Sequence, residues 1–337
     1  MVTRLLYRGR MNQTEHPFDD IRDLIAKRPA PNTEAVLACA AALADFPGPQ
    51  PVLGRWMDPV SWLAGWQGTD RPAIERPLIA VFAGTHDVVK PFTDGDIVEA
   101  AKSRVESLTQ GQSVVRGMSS RMSAAFKVYE MGLEYPVSDI TSTDALSERD
   151  CAAAMAFGME VVAEGADIIV LGNAGFGSTT AAAAIARGLY GGAAEYWAGA
   201  HNSTADARID AVERATDYHA KGLSDPLECL RRFGGRDISG LVGAILAARQ
   251  QSIPVILDGF VVCTAAAVLH EIDPDATAHC LAGHLSAEPA HGALLDRLGL
   301  TPLHDFGIPT GDGAGAAYAL STLRMSVSGL SSLRGDI

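Results

Sequence analysis

Basic charge, clustered cysteine and long apolar runs are all scarce in this chain. Lys and Arg number 27 against 40 Asp and Glu, giving a formal net charge of −13 and a sequence pI ≈ 5.1. An acidic average surface repels nucleic acid and anionic membranes, so neither is expected as a partner. The five cysteines, Cys39, Cys151, Cys229, Cys263 and Cys280, are scattered and lie mostly inside apolar runs. Their spacing fits no metal site, and they read as reduced structural thiols; no metal and no cofactor are expected. No apolar run approaches the roughly 20 residues of a membrane span. Residues 1–10 carry Arg4, Arg8 and Arg10 around too few apolar residues for a secretory signal, so a cytoplasmic protein is expected.

What is present is enough apolar residue to build a large core: 47% of 337 residues. The run Pro77-Leu78-Ile79-Ala80-Val81-Phe82-Ala83-Gly84 has the continuous apolar character of a buried parallel strand. Ala166-Asp167-Ile168-Ile169-Val170-Leu171-Gly172 and Ile253-Pro254-Val255-Ile256-Leu257-Asp258-Gly259 repeat the pattern, each passing through a glycine turn into a helix. A further strand is predicted within 278–286, whereas the Ser- and Gly-rich stretch before Cys151 shows little periodicity. Strands alternating with helices predict an α/β fold: a doubly wound, Rossmann-like, mostly parallel sheet with a smaller helical subdomain. We divide the chain into a mainly helical part of that subdomain (1–75), an α/β core (76–320), and a C-terminal helix and tail (321–337).

Ligands of such sheets bind beyond the carboxyl ends of the strands. The loops at Thr85, Asn173, Asp258 and Ser286 should share that rim, with Asp312 brought to it by the start of the last helix. In Gly172-Asn173-Ala174-Gly175-Phe176-Gly177-Ser178-Thr179-Thr180, glycines admit an anion close to the backbone and hydroxyls sit beside a helix N-terminus. The loop reads as a phosphate cradle or as a tight turn with a Ser/Thr cap. A dinucleotide fingerprint would need a third glycine where Thr180 stands, though Glu195 falls at a plausible distance for the acidic partner; hydride transfer is the corresponding alternative. Asp312, between Gly311 and Gly313, is either a general base or a solvated turn residue. Asp258 is either a substrate-facing carboxylate or the cap of the helix it precedes. His279, His284 and His291 match no metal spacing. His86 is a loop hydrogen-bonder or a site residue, and Arg208 is a phosphate ligand or part of a solvated helix face.

The segments Gly234-Gly235-Arg236-Asp237-Ile238-Ser239-Gly240, 253–264, 283–289 and 311–316 resemble the nicotinate-nucleotide:dimethylbenzimidazole phosphoribosyltransferases, and weaker similarity continues upstream. That resemblance implies transfer of phosphoribose from nicotinate mononucleotide to a benzimidazole-type base, in synthesis of the lower-ligand nucleotide of cobalamin. A glutamate of a Gly-Glu-Gly motif in that family deprotonates the base, whose nitrogen displaces nicotinate with inversion at C1′. Asp312 holds the matching position on a side chain one methylene shorter. A family acid is replaced by Asn173, a glycine-rich phosphate segment by Ala198-Gly199-Ala200-His201-Asn202, and the Asp-His-Gly after the first strand by Thr85-His86-Asp87. The lower-ligand segment, 94–112, matches poorly.

The resemblance therefore assigns Asp312 and Asn173 to catalysis. It assigns Gly175, Gly177, Ser178, Thr179, Thr180, Arg208, Asp258 and Phe260 to the nucleotide and its phosphate, and His86, Ala174, Phe176 and Ser286 to the base. It also implies a homodimer. Because the departures cluster at the expected site, the alternative is a catalytically impaired paralogue that binds a nucleotide or base, or regulates a partner protein.

Overall fold

The computed structural model describes residues 16–27, 29–45, 49–199 and 203–333. Five strands, β1 (Pro77–Ala83), β2 (Ala125–Glu130), β3 (Ile168–Asn173), β4 (Val255–Leu257) and β5 (Cys280–Ala282), form one parallel sheet in the order β2-β1-β3-β4-β5. A separate parallel pair joins β6 (His284–Leu285) to β7 (His304–Asp305).

The period-two alternation of a strand assigns each sheet face its own core. Leu78, Ala80 and Phe82 of β1, Ile169 and Leu171 of β3, and Val255 and Leu257 of β4 point to one side. They meet apolar residues from the helices Glu148–Gly158, Ser178–Tyr190, Gly235–Gln250 and Gly259–Ile272. Ile79, Val81 and Ala83, with Ile168, Val170 and Ile256, point to the other, against the helices Ile97–Thr109 and Ala314–Leu333. Burial on both faces is why β1 and β3 read as unbroken apolar runs.

On the first face two helices touch backbone to backbone. A Cβ added at Gly158 would lie 1.9 Å from the Gly240 carbonyl oxygen, and one at Gly243 would lie 2.0 Å from that of Met155. Glycine at these positions sets how closely the Glu148–Gly158 and Gly235–Gln250 helices approach.

Within the first 75 residues, the described helices divide between the two layers. Pro17–Ala26 places Phe18, Ile21 and Ile25 in the first core, whereas Thr33–Ala44 and Met57–Gln67 place Cys39, Leu43, Val60 and Leu63 in the second. At the other end, the expected boundary between 320 and 321 falls inside a continuous helix, Ala314–Leu333, whose buried face runs from Ala314 to Leu330. A helix with one uninterrupted apolar stripe offers no place to part, so the C-terminal residues through 333 belong to the core. Among the described residues no helix is long and apolar enough to cross a membrane.

Candidate active site

In the sheet order β2 lies on one side of β1 and β3 on the other, so the chain changes direction between β1 and β3. Loops leaving the carboxyl ends of these two strands diverge and open a crevice. The segment before the last helix is laid across it: the Asn173 N–H donates to the Gly311 carbonyl at 2.6 Å. The resulting cleft, ≈ 390 Å³, is lined by Asn173, Ala174, Gly175 and Thr179 on the β3 loop and by Pro309, Thr310, Gly311 and Asp312 across it. Gly259, Phe260, Val261, Ser286 and Glu288 border it on one side, and Arg104, Ser107, Leu108 and Ser113 also line it.

Asp312 therefore faces the cavity. Burial raises its pKa above the ordinary carboxylate value, the negative charge of Asp258 adds to the rise, and hydrogen bonds from the Ala314 amide and the Thr310 hydroxyl partly offset it. A carboxylate made more basic in this way is suited to take a proton.

Asp258 is the structural counterpart of that tuning. It is fully buried and does not line the cleft. One oxygen accepts from the Gly313 amide at 2.7 Å, the other from the Ala316 amide at 2.6 Å, and His284 Nε2 lies 3.2 Å from the latter. The expected substrate-facing carboxylate is thus turned inward, and it caps the last helix rather than the helix it precedes. Two orphan amides of the Ala314–Leu333 helix start attract it there.

The β3 loop also departs from the phosphate-cradle reading. Its amides are engaged within the protein: Ala174 with Phe82 O, Phe176 with Gly84 O, and Gly175 with Asn173 Oδ1 at 3.0 Å. Beneath the loop lies Asp237, which the sequence reading passed over as a site residue. Its carboxylate accepts from Ser178 Oγ at 2.6 Å and Asn173 Nδ2 at 2.8 Å, and His86 Nε2 lies 2.9 Å away. Burial pushes its pKa upward, but His86 and the donors from Ser178 and Asn173 outweigh burial and hold it below the ordinary value.

Gly175 is small to admit this network, since a Cβ there would lie 2.1 Å from Ser178 Oγ and 2.3 Å from Asp237 Oδ2. Gly177, with φ +93°, backs onto His86 in the same way. Ser178, Thr180 and His86 are buried in or beside the network, so of the hydroxyls predicted to meet phosphate only Thr179 reaches the cleft. His86 supports the floor and does not touch the hollow. Phe176 packs between the two cores, and Arg104 stands over its ring at 5.6 Å, so it too lies off the cleft wall while Ala174 lines it. Asn173 orients both ends of its amide inward, which leaves one N–H and one lone pair for a ligand.

The opposite wall offers better anion chemistry. The 14-residue helix Gly259–Ile272 opens onto the cleft with Gly259, Phe260 and Val261, and its N-cap side chain makes no capping bond to it. Ser286 stands beside it. The Ser286 amide donates to His291 Nδ1 at 2.9 Å, and Ser286 Oγ lies 2.9 Å from the same nitrogen. Burial, and then His284, push the His291 pKa down to about 3, so the ring is neutral and its Nε2–H faces Cys263 Sγ at 3.3 Å. The amide and the hydroxyl converge on the one Nδ1 lone pair, and the hydroxyl, being a rotor, can be drawn from it to a ligand. Arg208 is buried behind this wall; its Nη2 lies 3.5 Å from Glu288 Oε2, and its Nε has no partner among the described residues. Of the segment Ala198-Gly199-Ala200-His201-Asn202, residues 200–202 lie outside the described residues.

A phosphoribosyltransferase family model matches residues 29–334. A nicotinate-nucleotide–dimethylbenzimidazole phosphoribosyltransferase of Rhizobium meliloti (strain 1021) is 43% identical over 318 residues, 93% of this chain and 94% of that protein. Another so named, from Brucella anthropi, is 45% identical over 322 residues, again 93% and 94% of the two chains. The solved structure of such an enzyme from Thermus thermophilus superposes with a TM-score of 0.80 at 26% identity, covering 89% of this chain and 96% of that one.

Proposed function

The chain belongs to the nicotinate-nucleotide–dimethylbenzimidazole phosphoribosyltransferase family, and from that premise we propose that Asp312 is the general base of a phosphoribosyl transfer carried out in the cleft over β3. The observation that carries the reading is one hollow walled by a carboxylate of raised basicity and by a helix N-terminus with the rotatable Ser286 hydroxyl beside it.

The donor is nicotinate mononucleotide and the acceptor an aromatic azole of the benzimidazole type. The nucleotide phosphate sits against the amides that open the Gly259–Ile272 helix, with Ser286 donating and Arg208 adding positive charge behind Glu288. Thr179 and the remaining capacity of Asn173 orient the ribose. Asp312 removes the proton from one ring nitrogen of the acceptor as the in-plane lone pair of the other, unprotonated ring nitrogen forms a bond to C1′. The bond from C1′ to the pyridinium nitrogen breaks, its electrons neutralise the ring, and nicotinate departs with inversion to an α-riboside. Proton removal by a placed base contributes about 10²–10⁴ in rate, so the shorter aspartate must be brought to the acceptor by the backbone. The segment 309–312 crosses the end of β3, where the Gly311 carbonyl is held by the Asn173 amide, and in this reading that crossing carries the carboxylate toward the acceptor.

Cobalamin lower-ligand synthesis, a homodimeric assembly and a cytoplasmic location form part of this proposal. The test is incubation with nicotinate mononucleotide and 5,6-dimethylbenzimidazole, following nicotinate release and assigning the anomeric configuration by proton NMR. The reading expects an α-riboside phosphate; absence of nicotinate release while the nucleotide binds would favour a binding paralogue instead.

A further inference from the structure

Arg104 is the cationic side chain among the residues that line the cleft. It projects from the helix Ile97–Thr109, and its Nη1 donates to the carbonyls of Ala174 at 3.4 Å and Gly175 at 3.1 Å. The guanidinium carbon lies 5.6 Å from the centroid of the Phe176 ring. Two carbonyls and a ring face thus fix the orientation of a planar five-donor group. Fixing Nη1 leaves the opposite edge, Nε–H and Nη2–H, without an acceptor among the described residues. That edge is the pair of parallel donors that meets an oxygen or a carboxylate side-on.

Its place relative to the reaction follows from the stereochemistry. Displacement with inversion puts the entering and leaving nitrogens on opposite faces of C1′, and the base stands on the entering side. Arg104 lines the same cavity as Asp312, held to the β3 loop and across from the helix start assigned to the phosphate, and its interaction with the Asp312 charge agrees with a place on the acceptor's side. Burial lowers its pKa first and Asp312 partly restores it, so this is a partly desolvated cation near the base. Ser107, Leu108 and Ser113 share this stretch of the wall, which is therefore more polar than a methylated carbocycle would call for.

We propose that Arg104 selects azole acceptors carrying a hydrogen-bond-accepting oxygen on the fused ring, remote from the reacting nitrogen, over acceptors carrying only methyl groups there. This inference rests on the phosphoribosyltransferase reading above. A methyl group against the free guanidinium edge would displace water from two charged donors and give them nothing in return, whereas a hydroxyl or carboxylate oxygen would pair them.

The experiment compares kcat/KM for 5-hydroxybenzimidazole, benzimidazole-5-carboxylate and 5,6-dimethylbenzimidazole in the full-length protein, Arg104→Met and Arg104→Lys. The wild-type protein should prefer at least one oxygen-bearing acceptor to the dimethyl compound by about 10- to 100-fold, the range that hydrogen bonds to a charged group supply. Arg104→Met should bring that ratio near one, with Arg104→Lys in between and the KM for nicotinate mononucleotide unchanged. A purely structural role would slow all acceptors alike and leave the ratio where it was, and that result overturns the proposal. So does a wild-type preference for the dimethyl compound, or an Arg104→Met effect confined to the nucleotide's KM. If no acceptor releases nicotinate, the transferase reading fails separately, and calorimetric affinities of the same three compounds for the same proteins decide the selectivity: a ratio lost with Arg104 supports it, and equal or undetectable binding overturns it.

Discussion

Asp258 and Asp312 stand in one site with divided duties. The first is held by two backbone amides and never reaches the cleft; the second faces the cleft and is made more basic by burial and by the first. Only ionised Asp312 can accept the acceptor's proton, so the rate should fall as pH drops through its raised pKa, above the ordinary carboxylate value of about 4. Asp258→Asn removes the negative charge that contributes to the rise. The acidic limb of kcat/KM should then move to lower pH, because the base loses a neighbour that disfavoured its charged form. The same substitution gives the Ala314–Leu333 helix a poorer cap and should cost about 1 kcal/mol, read by urea denaturation. An acidic limb that stays in place would mean that the two carboxylates do not communicate.

The elements themselves divide into those whose residues announce them and those whose neighbours decide. β1 and β3 were legible because both faces of each are covered, which favours apolar residues along their length up to Asn173 at the end of β3. β2 was not: it is an edge strand whose positions are mostly exposed or half-buried, so Lys127 and Glu130 interrupt the pattern and only the pairing with β1 defines it. The site shows the same division. Asp312 was legible from its glycines. Asp258 was recognised as important but its direction was not, because the amides it caps lie 55 and 58 residues away along the chain. Asp237 gave no local signal, since a buried carboxylate is explained only by the three side chains that converge on it. Arg104 fell in the stretch that matched the family least, where motif reasoning had nothing to hold. The glycine crossing beneath the sheet carries the prediction for this scale. Gly243→Ala would force its helix away from the Met155 carbonyl and should destabilise the protein by about 1–3 kcal/mol in chemical denaturation. An alanine there without cost would mean that the two helices are not in contact.

Taken whole, the molecule is an acidic α/β protein whose anionic substrate must bind against an unfavourable net charge of −13. Favourable local features outweigh that average: the N-terminus of the Gly259–Ile272 helix lines the cleft, with Arg208 behind one wall. The sheet brings the β3 loop, the start of that helix and the segment 309–312 to one rim, and each contributes a different part of the chemistry. Such a division predicts that binding and catalysis separate cleanly. Asp312→Asn removes the base while leaving the anion-binding wall intact, and it relieves the cost of an ionised carboxylate at a buried position, so thermal stability at neutral pH should be equal or higher.

The decisive measurement pairs single-turnover nicotinate release with calorimetric binding of nicotinate mononucleotide in the native protein and Asp312→Asn. The account predicts native turnover, a loss of about 10²–10⁴ in rate for the variant, and nucleotide affinity unchanged within a factor of about three. Equal turnover in the two proteins, or affinity lost together with rate, would contradict it.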